Sequence, residues 1–143
     1  MLLSFQFLYI RLQLKIMIQP YIYIKTSANR GRGVFTKQPI PAKTEIEVSP
    51  ALVLSAKDRE IVNQTRLYHY IFEWGVNKKR ACVALGYISM YNHSYEANCE
   101  YEMDYKEETV TIRTLRPIKR GEELYINYNA VWNDKTPVWF SVK

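Results

Sequence analysis

Two alternating runs, CEYEMDY at residues 99–105 and TVTIRTL at residues 109–115, flank Lys106-Glu107-Glu108. Apolar and polar residues that alternate with period two send one face of an extended chain into a core and the other into water. Two such runs joined by a short polar link make a hairpin. Most of the other runs are of strand length too. YIYIKT is β-rich, and YHYIFEW alternates and is aromatic. ACVALG is a short buried run, and EELYINY reads as a last strand. IEVSPALVLS is extended and broken at Pro50. Only AKDREIVNQTRL suits a helix, with Asp58 near its start and Ile61 and Leu67 on an apolar face. The fold class expected is therefore mainly β with one or two short helices. A length of 143 residues suggests a single domain.

The two cysteines, Cys82 and Cys99, form no C-x-x-C and no Cys/His set with zinc spacing. No metal site is expected, and a reduced, intracellular protein, not a secreted one, fits that usage. The net charge of +6 is uneven: residues 1–80 carry +8 and residues 81–143 carry −2. A basic half can attract nucleic acid, so direct nucleic-acid contact stays open. No nucleic-acid motif is visible, however, and a solvated surface is the simpler explanation. The opening MLLSFQFLYIRLQLKIMIQP is apolar, but Arg11 and Lys15 interrupt it before the ~18 clean residues a membrane span needs. It lacks the basic start and small-residue cleavage site of a signal peptide. No membrane partner is expected. Residues 1–19 read as an N-terminal extension, an extra strand or helix on the domain, and Met17 would serve equally well as a start.

PIPAKTEI (residues 39–46) echoes PIKRGEEL (residues 117–124): Pro-Ile, a polar turn, an acid at the seventh place, then an aliphatic. Eight residues twice are too few for a repeat architecture. They suggest two similar corners, each launching a strand.

NHSYEAN, residues 92–98, admits three readings. Asn and Ser favour turns by bonding their own backbone. Asn92-His93-Ser94 also fits a glycosylation sequon, as does Asn63-Gln64-Thr65, although an intracellular chain weakens both. The third reading is a binding site that needs backbone and amide groups in a fixed array. Elsewhere, Gly31-Arg32-Gly33 follows a strand but lacks the third glycine of a dinucleotide fingerprint. No Ser or Cys is paired with a His in motif context, and no carboxylate pair has a hydrolase setting.

In combination, GRGVF, NHSYEAN and GEELYINY, in that order in a strand-rich domain, resemble the SET domain family of protein-lysine methyltransferases. The resemblance spans residues 20–129. It implies a β-clip of short curved strands with a C-terminal pseudoknot, and S-adenosylmethionine as methyl donor, with S-adenosylhomocysteine as product. By match, the main chain of Arg30, Gly31, Arg32 and Gly33 would hold the methionine end of the cofactor. The Asn92 side chain and the His93 backbone would hold its amine and adenine. Tyr128 would be the catalytic tyrosine, and Tyr70, Tyr91 and Ile126 would lie along the lysine channel. Ile126 matches a place where a Tyr hydroxyl restrains methylation, so its absence points towards di- or trimethylation. The partner implied is a basic protein or peptide bearing the target lysine. Glu96, Glu100, Glu102, Asp104, Glu107 and Glu108 offer it an acidic surface.

The chain departs from the family pattern at Ser89 for Arg, Tyr95 for Cys, Ala97 for Pro and Asn127 for Asp. The cysteine-rich zinc segment that follows many members is missing. In its place residues 130–143 carry Trp132, Trp139 and Phe140, and Trp139 is expected to pack on the adenine or to close the lysine channel. The rival reading is a non-catalytic module on the same fold that binds a basic peptide or nucleic acid.

Overall fold

The computed structural model describes residues 15–142. The proposed extension therefore falls mostly outside the described residues. Of residues 1–19, the described part contributes a two-residue strand, β1 (Met17–Ile18), paired antiparallel with Val48 and Glu47. The chain continues through β2 (Ile22–Ser27), β3 (Gly31–Thr36) and β4 (Glu45–Leu54) to a single helix, α1 (Ala56–Val62). After a 3₁₀ turn at Arg66–Tyr70 come β5 (Ile71–Trp74) and β6 (Arg80–Ala84). A second 3₁₀ turn at Ile88–Met90 leads into the short β7 (Asn92–His93), and then β8 (Cys99–Asp104), β9 (Thr109–Thr114) and β10 (Glu123–Ile126) follow. One sheet runs β5-β6-β4-β9-β8 with β1 on β4, and the other runs β2-β3-β10-β7.

The expected hairpin is β8–β9, paired from Cys99–Thr114 to Asp104–Thr109. Its inward residues Cys99, Val110 and Ile112 are fully buried. The helix is shorter than its sequence run. A capping box between Ser55 and Asp58 starts it. Ile61 and Leu67 do not form a buried face, being 59% and 47% exposed. The helix buries nothing, and its cap rather than an apolar stripe defines it. Nor does Pro50 break its strand: β4 runs through it. Pro50 lies opposite Thr109, the first residue of β9, and its missing N–H costs the ladder nothing because the next amide, Ala51, bonds Glu108 O at 2.8 Å.

The two echoing corners meet. Ile40 and Ile118 exchange both backbone hydrogen bonds, at 3.0 and 2.8 Å, and each is 2% exposed. The matching positions Lys43 and Gly121 both take positive φ, 57° and 80°, and their amides bond Thr114 O and Thr36 O. The echo is thus a pair of like turns back to back, each feeding a strand into a different sheet.

The core joins Ile22, Val34, Ile46, Trp74, Ile112 and Leu124 across both sheets. One carboxylate, Glu47, is fully buried within it. Glu47 Oε1 accepts from Ser49 Oγ at 2.8 Å and from Tyr87 N at 2.7 Å. Gly86 makes room for this: a Cβ there would lie 2.3 Å from both Glu47 Oε1 and Ser49 Oγ, at φ +66°. Neither oxygen can retreat without giving up a buried hydrogen bond. Gly86→Ala is therefore expected to cost about 2–4 kcal/mol, from left-handed strain plus overpacking. Urea unfolding checks it, and an unchanged midpoint would contradict it.

Candidate functional site

The second sheet brings the three motifs together. β10 is inserted between β3 and β7, antiparallel to the first (Leu124 opposite Val34) and parallel to the second (Tyr125 opposite Asn92, Ile126 opposite His93). GRG is not a free turn but the start of β3, at the far end of the β2–β3 hairpin, where Ser27 pairs with Gly31.

Glu123 is the hub of this junction. Its Oε1 accepts from Asn92 Nδ2 at 2.7 Å, and its Oε2 accepts from Ser27 Oγ at 3.0 Å and Tyr125 Oη at 2.7 Å. Gly33 allows that carboxylate to lie against β3, since a Cβ there would stand 2.2 Å from Glu123 Oε1. Asn92 Nδ2 also donates to Arg32 O at 3.3 Å. With both protons of the amide nitrogen directed inward, the amide orientation is fixed and Oδ1 is left as the acceptor. An amide bonded in this way to Glu123 and Arg32 clasps β7 to β3 and β10. Asn98 performs a parallel service: its Nδ2 donates to Glu123 O at 2.8 Å, and its Oδ1 accepts from Tyr125 N at 2.7 Å.

Tyr128 follows β10 directly. Its Oη donates to Tyr91 O at 2.8 Å, and its N–H donates to His93 Nδ1 at 3.0 Å. Burial, with Tyr70 close by, pushes the Tyr128 phenol up to about 12, so it is a neutral donor at physiological pH. His93 is 3% exposed. Because Nδ1 accepts from Tyr128, the proton of the neutral ring sits on Nε2, a buried atom without a hydrogen-bond partner among the described residues. Arg30 donates to His93 O at 2.6 Å and stacks 5.0 Å from the Tyr125 ring.

Three cavities surround Tyr128. A hollow of about 220 Å³ has Arg30, Gly31, Arg32 and Asn92 on its walls. Another of about 210 Å³ shares Arg30, Asn92 and Tyr128 with it and adds His93. On the other side lies a larger cavity of about 470 Å³ bounded by Phe72, Glu73, Tyr101, Met103 and Tyr105. Tyr70, Ser89, Tyr128 and Trp139 are walls of both the largest cavity and the 220 Å³ hollow. Tyr128 thus stands where a glycine- and arginine-lined pocket meets an aromatic one. Two of the residues expected in a channel lie elsewhere. Ile126 is fully buried in the core, and the Tyr91 ring is buried there too, its Oη donating to Glu47 Oε2 at 3.2 Å. Tyr91 reaches the site through its carbonyl alone. The reason is the Glu47 carboxylate, which draws the hydroxyl inward.

The tail covers this junction. Trp139 stacks on Tyr128, with centroids 6.0 Å apart and an interplanar angle of 22°, and it touches Tyr68 at 5.7 Å. Phe140 meets His93 edge-on at 6.0 Å. Two departures from the family pattern hold the tail. Asn127 Nδ2 donates to Asp134 O at 2.7 Å, which an aspartate could not do. Tyr95 Oη accepts from Val138 N at 3.1 Å, and Tyr95 O accepts from Lys135 Nζ at 3.0 Å. Ser89 Oγ bonds Tyr70 O and Ala84 O at 2.9 and 3.0 Å, pinning the cavity wall. Among the described residues, no group of three or more His, Cys, Asp or Glu is placed to hold a metal, and Cys82 and Cys99 are free and buried. No described helix is long and apolar enough to cross a membrane. Sequence reasoning singled out Tyr95 and Asn127 only as anomalies and gave Glu123 no part in the site. The second acid of GEEL, at the head of the apolar run Leu124-Tyr125-Ile126, was the one available signal.

A sheet with its last strand inserted beside an Asn-His pair, and a tyrosine between two pockets, defines the SET class of methyltransferase. The SET domain family model matches residues 31–129. The chain belongs to this family of protein-lysine methyltransferases. It is 38% identical over 112 residues to a histone-lysine N-methyltransferase specific for H3 lysine 37 from Schizosaccharomyces pombe, covering 78% of this chain and 75% of that protein. A Plasmodium falciparum structure described as a histone methyltransferase superposes with a TM-score of 0.58 at 29% identity, over 80% of this chain and 98% of that one. An active polycomb repressive complex 2 in its basal state gives 0.64 at 19% identity, over 78% of this chain and 15% of that one, a likeness of fold alone.

His93 supplies a pH test. Burial, and next the Arg30 charge, hold its imidazole below 6.5. The unfolded chain then binds the extra proton first, so folded stability falls as pH drops below about 6.5. Charging the ring also removes the acceptor for Tyr128 N–H. An NMR titration should place the His93 midpoint under 6.5, and a midpoint above it would contradict the geometry.

Proposed function

We propose that this protein transfers a methyl group from S-adenosylmethionine to the amine of a lysine in a basic protein inside the cell. The observation that carries the reading is Tyr128 at the meeting of two chemically different pockets. The glycine- and arginine-lined side suits the donor. Gly31 leaves the pocket side of β3 open, with nothing within 4 Å of where a Cβ would stand, Asn92 Oδ1 is an acceptor suited to an ammonium group, and Arg30 suits a carboxylate. The Phe140 and Trp139 rings suit a heteroaromatic base. When bound, this donor supplies a methyl group already activated on a sulfonium.

The chain's own residues then have two tasks. The first is alignment, which lowers a barrier substantially without any nucleophile on the enzyme. The second is to receive an uncharged amine. A free lysine amine has a pKa of about 10.4. The burial that raises the Tyr128 phenol disfavours an ammonium in the same cavity, so the amine sheds its proton on the way in. Tyr128 stays protonated and acts as a neutral positioning group, not as a base. The aromatic wall of Phe72, Tyr101 and Tyr105 keeps the path dry. Glu100 and Glu102, which share the single cation Arg113, leave a net negative strand for a basic substrate. The histone-modifying relatives make a lysine-bearing chromatin protein the first substrate to try.

Calorimetry with S-adenosylmethionine, followed by methyl incorporation into mixed basic proteins, tests the reading. Cofactor binding without transfer to any protein would favour a non-catalytic module. Tyr128→Phe should lower kcat at least about a hundredfold while cofactor affinity holds, because the phenol acts on the reacting amine. Trp139→Ala should weaken cofactor binding about tenfold by removing a stacking surface. Unaltered binding of both cofactor and protein substrate in that variant would remove the tail from the site.

A further inference from the structure

Glu47 is a fully buried carboxylate that the reaction does not touch. Burying it is costly unless every oxygen is bonded, and each one is. Besides Ser49 Oγ, its donors are the Tyr87 amide, at 2.7 Å, and the Tyr91 hydroxyl, at 3.2 Å. Two of these three donors lie within residues 87–91. That stretch is the 3₁₀ turn that runs straight into Asn92 and His93 and carries Ser89, a wall of both pockets. The carboxylate therefore grips from behind the segment whose front forms the site. Tyr91 transmits the grip directly, with its hydroxyl on Glu47 and its carbonyl accepting from Tyr128 Oη at 2.8 Å. The ring between them is 1% exposed and packed into the core, so it has little room to tilt.

We propose that Glu47 and Tyr91 are positioning residues for methyl transfer: the buried carboxylate fixes the Tyr91 ring, and the Tyr91 carbonyl aims the Tyr128 phenol. This rests on the reading of Tyr128 as the catalytic tyrosine. Neither residue meets cofactor or substrate. A lapse in aim lowers kcat, since alignment is lost, and leaves both KM values in place.

The experiment uses the full chain, S-adenosylmethionine and a mixture of core histones, with Tyr91→Phe, Glu47→Gln, the double variant and Tyr128→Phe measured side by side. Each of the first two is expected to lower kcat about tenfold, equivalent to about 1.4 kcal/mol in the barrier, with KM for cofactor and histone unchanged. The double variant should be no slower than the slower single, because both act through one linkage. Normal kcat in Tyr91→Phe and Glu47→Gln beside a crippled Tyr128→Phe overturns the proposal alone, whatever happens to the melting temperature. Normal kcat in Tyr128→Phe overturns the catalytic reading itself. Should Glu47→Gln fail to fold, Tyr91→Phe, which removes one oxygen, decides. Crystal structures supply a readout independent of substrate: the contact between Tyr128 Oη and Tyr91 O should lengthen past about 3.5 Å, the limit of a hydrogen bond. An unchanged contact also overturns the proposal.

Discussion

The parallel pairing of Asn92 and His93 with Tyr125 and Ile126 is the contact on which the site depends. Two residues form almost no sheet by themselves. What makes the pairing firm is the polar clasp around it, with Glu123 gathering Asn92, Ser27 and Tyr125, and Asn98 holding β10 from the other side. Each of these is buried or half-buried and satisfied, the condition under which polar groups specify one arrangement instead of destabilising it. The pocket walls follow from this. Asn92 is turned by its bond to Glu123, Gly33 is bare because Glu123 lies against it, and Tyr128 is delivered to His93 and Tyr91 by the end of β10.

The tail roofs the junction around Tyr128. A roof over the junction needs aromatic surface and a means of staying down. Trp139 and Phe140 provide the surface. Asn127, Tyr95 and Lys135 provide the hold, through ordinary hydrogen bonds to main-chain groups. Two substitutions that look like decay in the motif are thus fastenings, because an amide can donate to a carbonyl where a carboxylate cannot, and a phenol reaches where a thiol would stop.

Much of the fold was legible because period-two alternation reports burial directly, as in β8 and β9. The motifs were legible because Gly31, Gly33, Asn92 and Tyr128 sit in recognisable company. Other features were hidden for physical reasons. Ile61 and Leu67 suggested an apolar face, but α1 lies on the surface and its Ser55 cap is what shapes it. Pro50 looked like a break because the sequence does not say which side of a strand needs its amide. Tyr91 looked like a channel residue, since adjacency to NHS says nothing about which way a ring points. That direction is set by Glu47, 44 residues earlier. Glu123 was hidden for the same reason, its partners Ser27 and Asn92 being 96 and 31 residues away.

The strand order β2-β3-β10-β7 also sets a timetable. β10 is an interior strand of its sheet, yet it comes after both of its neighbours, β3 and β7, in the chain. Until residues 123–126 emerge, β3 and β7 have nothing between them, and neither Asn92 nor Gly33 has its carboxylate. A nascent chain can build the larger sheet early, from neighbouring hairpins, but the pocket lined by Gly31 and Asn92 cannot precede synthesis of the strand that separates its walls. Assembly of the junction around Tyr128 in this way waits for residues 123–128.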